Sequence, residues 1–369
     1  MISAFAPGRL ELIGNHTDYN DGYVMAIAVN LGVTIQGQAR EDNTVVLRSQ
    51  PFGEDTFSLD ELKKSGDKPW SNYFRGVLEQ LQKAGAPLKG FEAEISSTLP
   101  SGAGMSSSAA LEVATLLLAQ KIFDFEFGDI HDPALRVSLA AMCRAAENDF
   151  VGVKCGILDQ VSSMMGRKDH AVFIDCRTLE VQQIPLSGEV CFVVCHTGAK
   201  HMLLSSKYNQ RHSECMEAVK MLNMNKIEVQ ALRDVDVETV KRNAGIFMER
   251  VFRRAMHVVT ENGRVLAARD ALANGDILAL GKLMYESHES SRDAFENSTE
   301  YLDQLVEIAR GLPGCLGARL TGGGFGGATI NLVYRDAADQ FMTDLMRIYR
   351  EKSGKEPQAW KLEASDGAE

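Results

Sequence analysis

PSGAGMSSSAALEVATLLLAQKIF, residues 100–123, opens on glycines and continues as an apolar run with helical spacing. Gly102 and Gly104 interrupt regular structure and let the backbone come close to a ligand where a side chain would obstruct. Ser106 to Ser108 then offer N-caps, and from Ala109 the pattern is helical. Free N–H groups at a helix start, together with the helix dipole, make an anion site. The three hydroxyls can add contacts to phosphate or Mg²⁺. The segment lacks GxxxxGK[ST], so it is not a Walker loop. Taken alone, a glycine-containing loop with a serine cap explains it equally well.

Before this segment the chain reads as strand-rich, with alternation at Val33 to Ala39, Thr44 to Arg48 and Phe91 to Ile95. After it the patterns predict a helix from Pro133 to Phe150 and buried strands at 169–176 and 190–196. Helices are expected over 205–223, 246–262, 264–274, 276–289 and 299–311. Strands at Gly317–Leu320 and Ala328–Tyr334, a helix at 336–352 and a short strand at 358–362 close the chain. The mixture predicts an α+β fold rather than regular βαβ alternation. A length of 369 residues suggests two domains, divided by the composition shift as 1–184 and 185–369.

The chain carries 39 Lys and Arg against 50 Asp and Glu, a net charge of −11. This disfavours a general nucleic-acid binder, which needs clustered cations. No stretch approaches the roughly 18–20 apolar residues of a membrane span. The N-terminus has neither the cationic nor the apolar region of a secretory signal. The 7 cysteines are scattered, and an odd number without CxxC reads as reduced thiols. A cytoplasmic location is therefore expected, and Asn15 and Asn297 are not read as glycosylation sites.

Two further stretches stand out: PGRLELIGNHTDYN (7–20) and RLTGGGFGGA (319–328). The second formally contains GxGxxG at Gly322, Gly324 and Gly327. A dinucleotide fingerprint must open a helix, whereas the residues that follow, ATINLVY, read as a strand. The first concentrates Arg9, Glu11, Asn15, His16, Asp18, Tyr19 and Asn20, a mixture of donors and acceptors suited to a polyol. Asp159 falls at the start of an apolar helical run, and Glu147 on a predicted helix. Taken singly, Asp159 reads as a helix-start acid and Glu147 as an exposed helical residue.

Together these stretches resemble the galactokinases, of the superfamily that also holds the homoserine, mevalonate and phosphomevalonate kinases. Residues 7–20 are similar to the galactokinase signature, residues 100–110 to the superfamily phosphate loop and residues 319–328 to its C-terminal glycine motif. WSNYFRGV, AENDFVGVKCGILDQ, SSKYNQRHSEC and ESHESSRDAFENS match as well, in the expected order. The resemblance implies a two-domain GHMP-kinase-like fold with the active site in the cleft between domains. It implies ATP- and Mg²⁺-dependent phosphorylation of galactose at C1, with the sugar and ATP as small-molecule partners; no nucleic-acid or membrane partner is expected, and a monomer is the expected state. Asp159 matches the catalytic aspartate and Arg9 the arginine paired with it. Ser108 and Glu147 match the Mg²⁺ ligands. Gly102, Ala103, Gly104, Met105, Ser106, Ser107 and Ser108 match the loop around the ATP phosphates. Asn15, His16, Asp18, Gly156 and Tyr208 match sugar-contacting positions.

The signature departs from the family pattern at one pair. The family has Asn at position 11 and an acid at position 15, near the sugar C6 hydroxyl; this chain has Glu11 and Asn15. Either the exchange is compensatory and galactose remains the substrate, or specificity has moved at C6, to a sugar such as galacturonate. A non-catalytic galactose and ATP sensor is a third reading. The uninterrupted SSSAALEV and the presence of Asp159, Arg9 and Glu147 speak against it.

Overall fold

A computed structural model describes residues 1–100, 102–199 and 204–369. Ser101, within the predicted phosphate loop, lies outside the described residues. Two long antiparallel strands, β1 (Ile2–Ile13) and β2 (Tyr23–Ala39), form the spine of the first half. Val24 to Val29 are all buried, as expected of a central strand covered on both faces. The β1–β2 register shifts between Pro7 and Arg9 and again between Glu11 and Ile13. Such bulges re-aim side chains.

The first half continues with β3 (Thr44–Ser49), β4 (Gly53–Ser58), α1 (Ser71–Lys83) and β5 (Phe91–Ser97). α1 is absent from the sequence reading, although Phe74, Val77, Leu78 and Leu81 carry its buried face at helical spacing. Next come α2 (Ser107–Phe123), α3 (Pro133–Ala145), α4 (Leu158–Met165), β6 (His170–Asp175) and β7 (Val181–Pro185). The sheet order is β4-β3-β5-β2-β6-β7, with β1 on β2. α3 is capped by Asp132 with Pro133 in its first turn, and runs into a single π turn over Ala146–Val151.

The second half begins with β8 (Val190–His196). It adds α5 (Leu204–Met224), α6 (Val237–Arg242), α7 (Glu249–Ala273), α8 (Ile277–Ser290) and α9 (Glu300–Arg310). It ends with β9 (Cys315–Leu320), β10 (Ala328–Tyr334), α10 (Ala338–Ser353) and β11 (Gln358–Leu362). The second sheet, β11-β8-β10-β9, is antiparallel throughout. The two helices expected over 246–262 and 264–274 are one, α7, of 25 residues. Gly263 divides the sequence pattern but not the helix. It sits in open space, so it carries only the intrinsic cost of glycine, about 1 kcal/mol. Buried Val251, Ala255, Val258, Val265 and Ala268 offset that on either side.

One apolar core runs through both halves, joining Leu10, Ile27 and Leu117 to Val265, Met284 and Ile330. The residues after β11 return to the first sheet, where Phe5 and Glu369 exchange backbone hydrogen bonds of 2.8 and 2.9 Å. α8 lies against β9 through glycines. A Cβ on Gly281 would stand 2.2 Å from the Leu316 carbonyl, and one on Gly317 would stand 2.4 Å from the Gly281 carbonyl. Neither backbone can yield to a methyl group. Gly281→Ala is therefore expected to destabilise the fold by about 1–3 kcal/mol, seen as a lower thermal midpoint. An unchanged midpoint would refute the close contact.

Candidate active site

Two of the glycine-rich stretches, 7–20 and 319–328, line one cleft of about 290 Å³, and the third reaches it through Arg9 and Asp159. Arg9, Glu11, Asn15, His16, Asp18, Glu147, Gly156, Asp159, Tyr208, Gly322 and Gly323 all line it. At its centre Arg9 and Asp159 form an ion pair, with Nε and Nη2 both 2.7 Å from Asp159 Oδ1. Arg9 is nearly buried, while the Asp159 side chain keeps 25% of its exposure. Asp159 is therefore the partner that remains open to a ligand. Arg9 also holds the middle stretch, through Nη1 to the Gly104 carbonyl at 2.6 Å and its own N–H to the Met105 carbonyl at 3.2 Å.

The phosphate-loop candidates divide by role. Gly102, Gly104 and Ser106 adopt left-handed backbone, at φ 76°, 69° and 54°. Ala103 and Met105 point into the core, so only their backbone can serve a ligand. Ser106 occupies the N-cap of α2 without capping it. Its hydroxyl donates instead to Asp159 Oδ2. The first-turn N–H groups of α2 thus lack the expected serine cap, and Ser107 and Ser108 stand in that turn, exposed and half-buried.

Glu147 is buried rather than an exposed helical residue, because the π turn at the end of α3 rolls it inward. π turns recur at functional sites. Gln160 Nε2 donates to Glu147 Oε2 at 2.8 Å and to Glu112 Oε2 at 3.0 Å. Burial, and then the Asp159 charge, push Glu147 up to about 7. Burial, and then Glu147, push fully buried Glu112 well above the usual carboxylate range. This corner therefore holds several oxygen donors and a deficit of positive charge.

The sugar candidates surround the other side of the cleft. Among the described residues no cation forms an ion pair with Asp18, and the Arg9 charge offsets only part of its burial. Burial, then Asp159 and Glu11, push it up to about 7. A Cβ on Gly156 would fall 2.0 Å from Asp18 Oδ2, so glycine is required there. His16 donates from Nε2 to the Gly323 carbonyl at 3.0 Å and accepts at Nδ1 from the Tyr19 hydroxyl at 2.8 Å. Burial holds its pKa down at about 3, so it stays neutral. The Tyr208 ring packs 4.9 Å from His16, and burial keeps its hydroxyl protonated.

Beneath the cleft lies a layer that sequence reading missed. Glu261 Oε1 accepts the N–H groups of Gly14 at 3.0 Å and Asn15 at 3.3 Å, and the Ser287 hydroxyl at 2.6 Å. Burial alone would raise this carboxyl, but Arg264, His257 and Arg319 outweigh it and hold it down at about 2. Arg319, fully buried, pairs with Glu11 at 3.0 Å. Asn297 Nδ2 donates to Asn15 Oδ1 at 2.7 Å. Arg319, Asn297, Glu112 and Gln160 lie within quoted stretches without being singled out there, and Glu261 lies outside them. Among the described residues no cluster of three or more His, Cys, Asp and Glu is arranged for a metal. No helix among them is long and apolar enough to cross a membrane, and all seven cysteines are free thiols.

A raised carboxyl in the folded chain favours folding at low pH and opposes it as pH climbs above about 4.5, by at most roughly 1.4 kcal/mol per unit. Glu112→Gln removes that penalty. Its midpoint relative to the parent chain should rise between pH 5 and pH 8 in metal-free buffer. A gap independent of pH would contradict the uncompensated burial of Glu112.

Three family models match the chain: the GHMP kinases N terminal domain over residues 72–167, the GHMP kinases C terminal over 268–349 and the galactokinase galactose-binding signature over 2–39. A galactokinase of Chloroflexus aggregans is 42% identical over 95% of this chain and 89% of its own length. A galactokinase of Thermotoga maritima is 40% identical over 99% and 98%. The crystal structure of Lactococcus lactis galactokinase complexed with galactose superposes with a TM-score of 0.94 at 35% identity, covering 100% of this chain and 94% of that one. A mevalonate kinase structure at 18% identity and a TM-score of 0.65, covering 99% of this chain and 100% of that one, shares the fold.

Proposed function

We propose, for a chain that belongs to the galactokinases of the GHMP kinase family, that Asp159 receives the anomeric hydroxyl and Arg9 fixes it there. The chain phosphorylates galactose at the C1 hydroxyl with ATP and Mg²⁺, forming galactose 1-phosphate and ADP. The observation that carries the residue assignment is the Arg9–Asp159 pair. It stands where the signature stretch, the phosphate loop and α4 converge.

Phosphoryl transfer asks for position and charge neutralisation more than covalent chemistry. Asp159 accepts the proton of the C1 hydroxyl as that oxygen attacks. Arg9 keeps the carboxylate oriented and lends positive charge to the transferring group. The left-handed turns at Gly102, Gly104 and Ser106 shape a backbone cradle, and Ser107 and Ser108 present hydroxyls beside the uncapped helix start. Glu147 and Ser108 would hold Mg²⁺, which takes few protein ligands. The uncompensated negative charge around Glu147 supports that assignment. Bound there, Mg²⁺ would neutralise phosphate charge. Asp18, Gly156 and Tyr208 bind the sugar, whereas His16, with both ring nitrogens bonded to protein, shapes the pocket with its ring. The domains are taken as 1–184 and 185–369. The chain is taken as monomeric. The acidic charge speaks against nucleic-acid partners, and the free thiols support a cytoplasmic location.

Asp159→Asn should fold normally yet lose about 10²–10⁴-fold in kcat. A near-normal kcat would remove Asp159 from the reaction. Sugar hydroxyls donate to a carboxylate, so galactose binding favours the ionised form of Asp18. The KM for galactose should fall as pH rises through about 7, and Asp18→Asn should abolish that trend. A KM that is flat with pH in the parent chain would contradict it.

A further inference from the structure

We infer that Glu11, and not Asn15, supplies the carboxylate that faces the sugar, while Asn15 is an internal strut. This rests on the galactose kinase reading above and assigns a specificity residue within its site. The argument is an account of hydrogen-bonding capacity. An amide side chain offers two N–H donors and one acceptor oxygen. Asn15 Nδ2 donates to the Gly322 carbonyl at 2.7 Å and to Glu11 Oε1 at 3.1 Å. Its Oδ1 accepts from Asn297 Nδ2 at 2.7 Å and from the Ser291 hydroxyl at 3.5 Å. Its backbone N–H is taken by Glu261 at 3.3 Å and its carbonyl by His257 Nε2 at 3.0 Å. The amide orientation is fixed, because a flipped amide would set Oδ1 against a carboxylate and a carbonyl. Asn15 lines the cleft, yet nothing on it is left to bind a hydroxyl.

Glu11 is in the opposite position. Its Oε1 accepts from Arg319 Nη1 at 3.0 Å and from Asn15. Among the described residues its Oε2 receives only a 3.4 Å share of the same Asn15 donor. Glu11 also lines the cleft, on the bulged stretch of β1. Burial pushes this carboxyl up while Arg319 and Arg9 pull it down, and the net shift is upward. A hydroxyl donor at Oε2 would supply the stabilisation that the protein leaves out. The exchange of Glu and Asn along the signature therefore keeps the negative charge in the cleft and moves it across one pair. A sugar carboxylate at this end would meet a like charge, so the site selects a hydroxyl.

The test is kcat/KM for galactose and for its 2-, 3-, 4- and 6-deoxy analogues, in the parent chain, Glu11→Gln and Asn15→Ala. Glu11→Gln should cost about tenfold on galactose and on every analogue but one, since a charge-assisted bond becomes a neutral one. On the remaining analogue the cost should vanish, which identifies the hydroxyl. Asn15→Ala should lower the thermal midpoint and affect all the sugars equally. If Glu11→Gln does not fold, Glu11→Asp keeps the charge but withdraws it from the sugar by one methylene, and should show the same hydroxyl-selective loss. Equal losses across all sugars in Glu11→Gln, or in Glu11→Asp where that variant replaces it, would overturn the inference, as would a hydroxyl-selective loss in Asn15→Ala. Failure of the parent chain to turn over galactose would instead overturn the kinase reading itself.

Discussion

The carboxylate of Glu261 is the anchor on which the rest of the site depends. It sits at the middle of α7, fully buried, and holds the Gly14–Asn15 turn by two backbone N–H groups. That turn places His16 in left-handed backbone at φ 62° and swings the signature stretch toward the glycine loop after β9. Removing the acceptor would leave buried donors unpaired and the charge of Arg264 uncompensated. Losses of this kind run to about 3–5 kcal/mol when one partner of a buried pair is deleted. A buried ion pair is seldom a net source of stability, but here it fixes one conformation of a loop that carries chemistry.

A second theme is the distribution of charge. Glu11, Asp18, Glu112, Glu147 and Asp159 crowd the cleft and its walls, while Arg9 and Arg319 are the cations pairing with them. Several of these carboxyls are pushed upward because burial and mutual repulsion outweigh the available positive charge. A protein that keeps such an arrangement spends folding stability on it. A divalent cation and hydroxyl donors, both of which the reaction brings, would offset the deficit. The carboxyls by themselves are therefore strained electrostatically in the direction that binding relieves.

Much of this was legible in the residues. The strands at 190–196 and 358–362 and the rejection of a dinucleotide fingerprint follow from local pattern, and the glycine loop does run between two antiparallel strands. The three glycine-rich stretches announced themselves through composition. What stayed hidden depends on contacts far apart in sequence. Glu261, Glu112 and Gln160 are ordinary-looking helix residues until the fold buries them. Glu147 looked exposed because a π turn cannot be read from helical spacing. α1 was missed despite a clear apolar stripe, because the surrounding strands set the expectation. The Glu11/Asn15 exchange was visible, but only the valences filled by Asn297, Gly322 and Arg319 give it a meaning.

The contacts that complete the cleft have a temporal consequence. Asn15 meets Gly322, and His16 meets Gly323, each across 307 residues of chain. At roughly 5–20 residues per second, a ribosome needs about 15–60 s to follow the first partner with the second. During that interval Glu11, Asn15 and His16 have been made but lack the groups that order them. Galactose can therefore stabilise only a chain that is almost finished. Sugar supply would protect completed molecules and leave nascent ones to the chaperones.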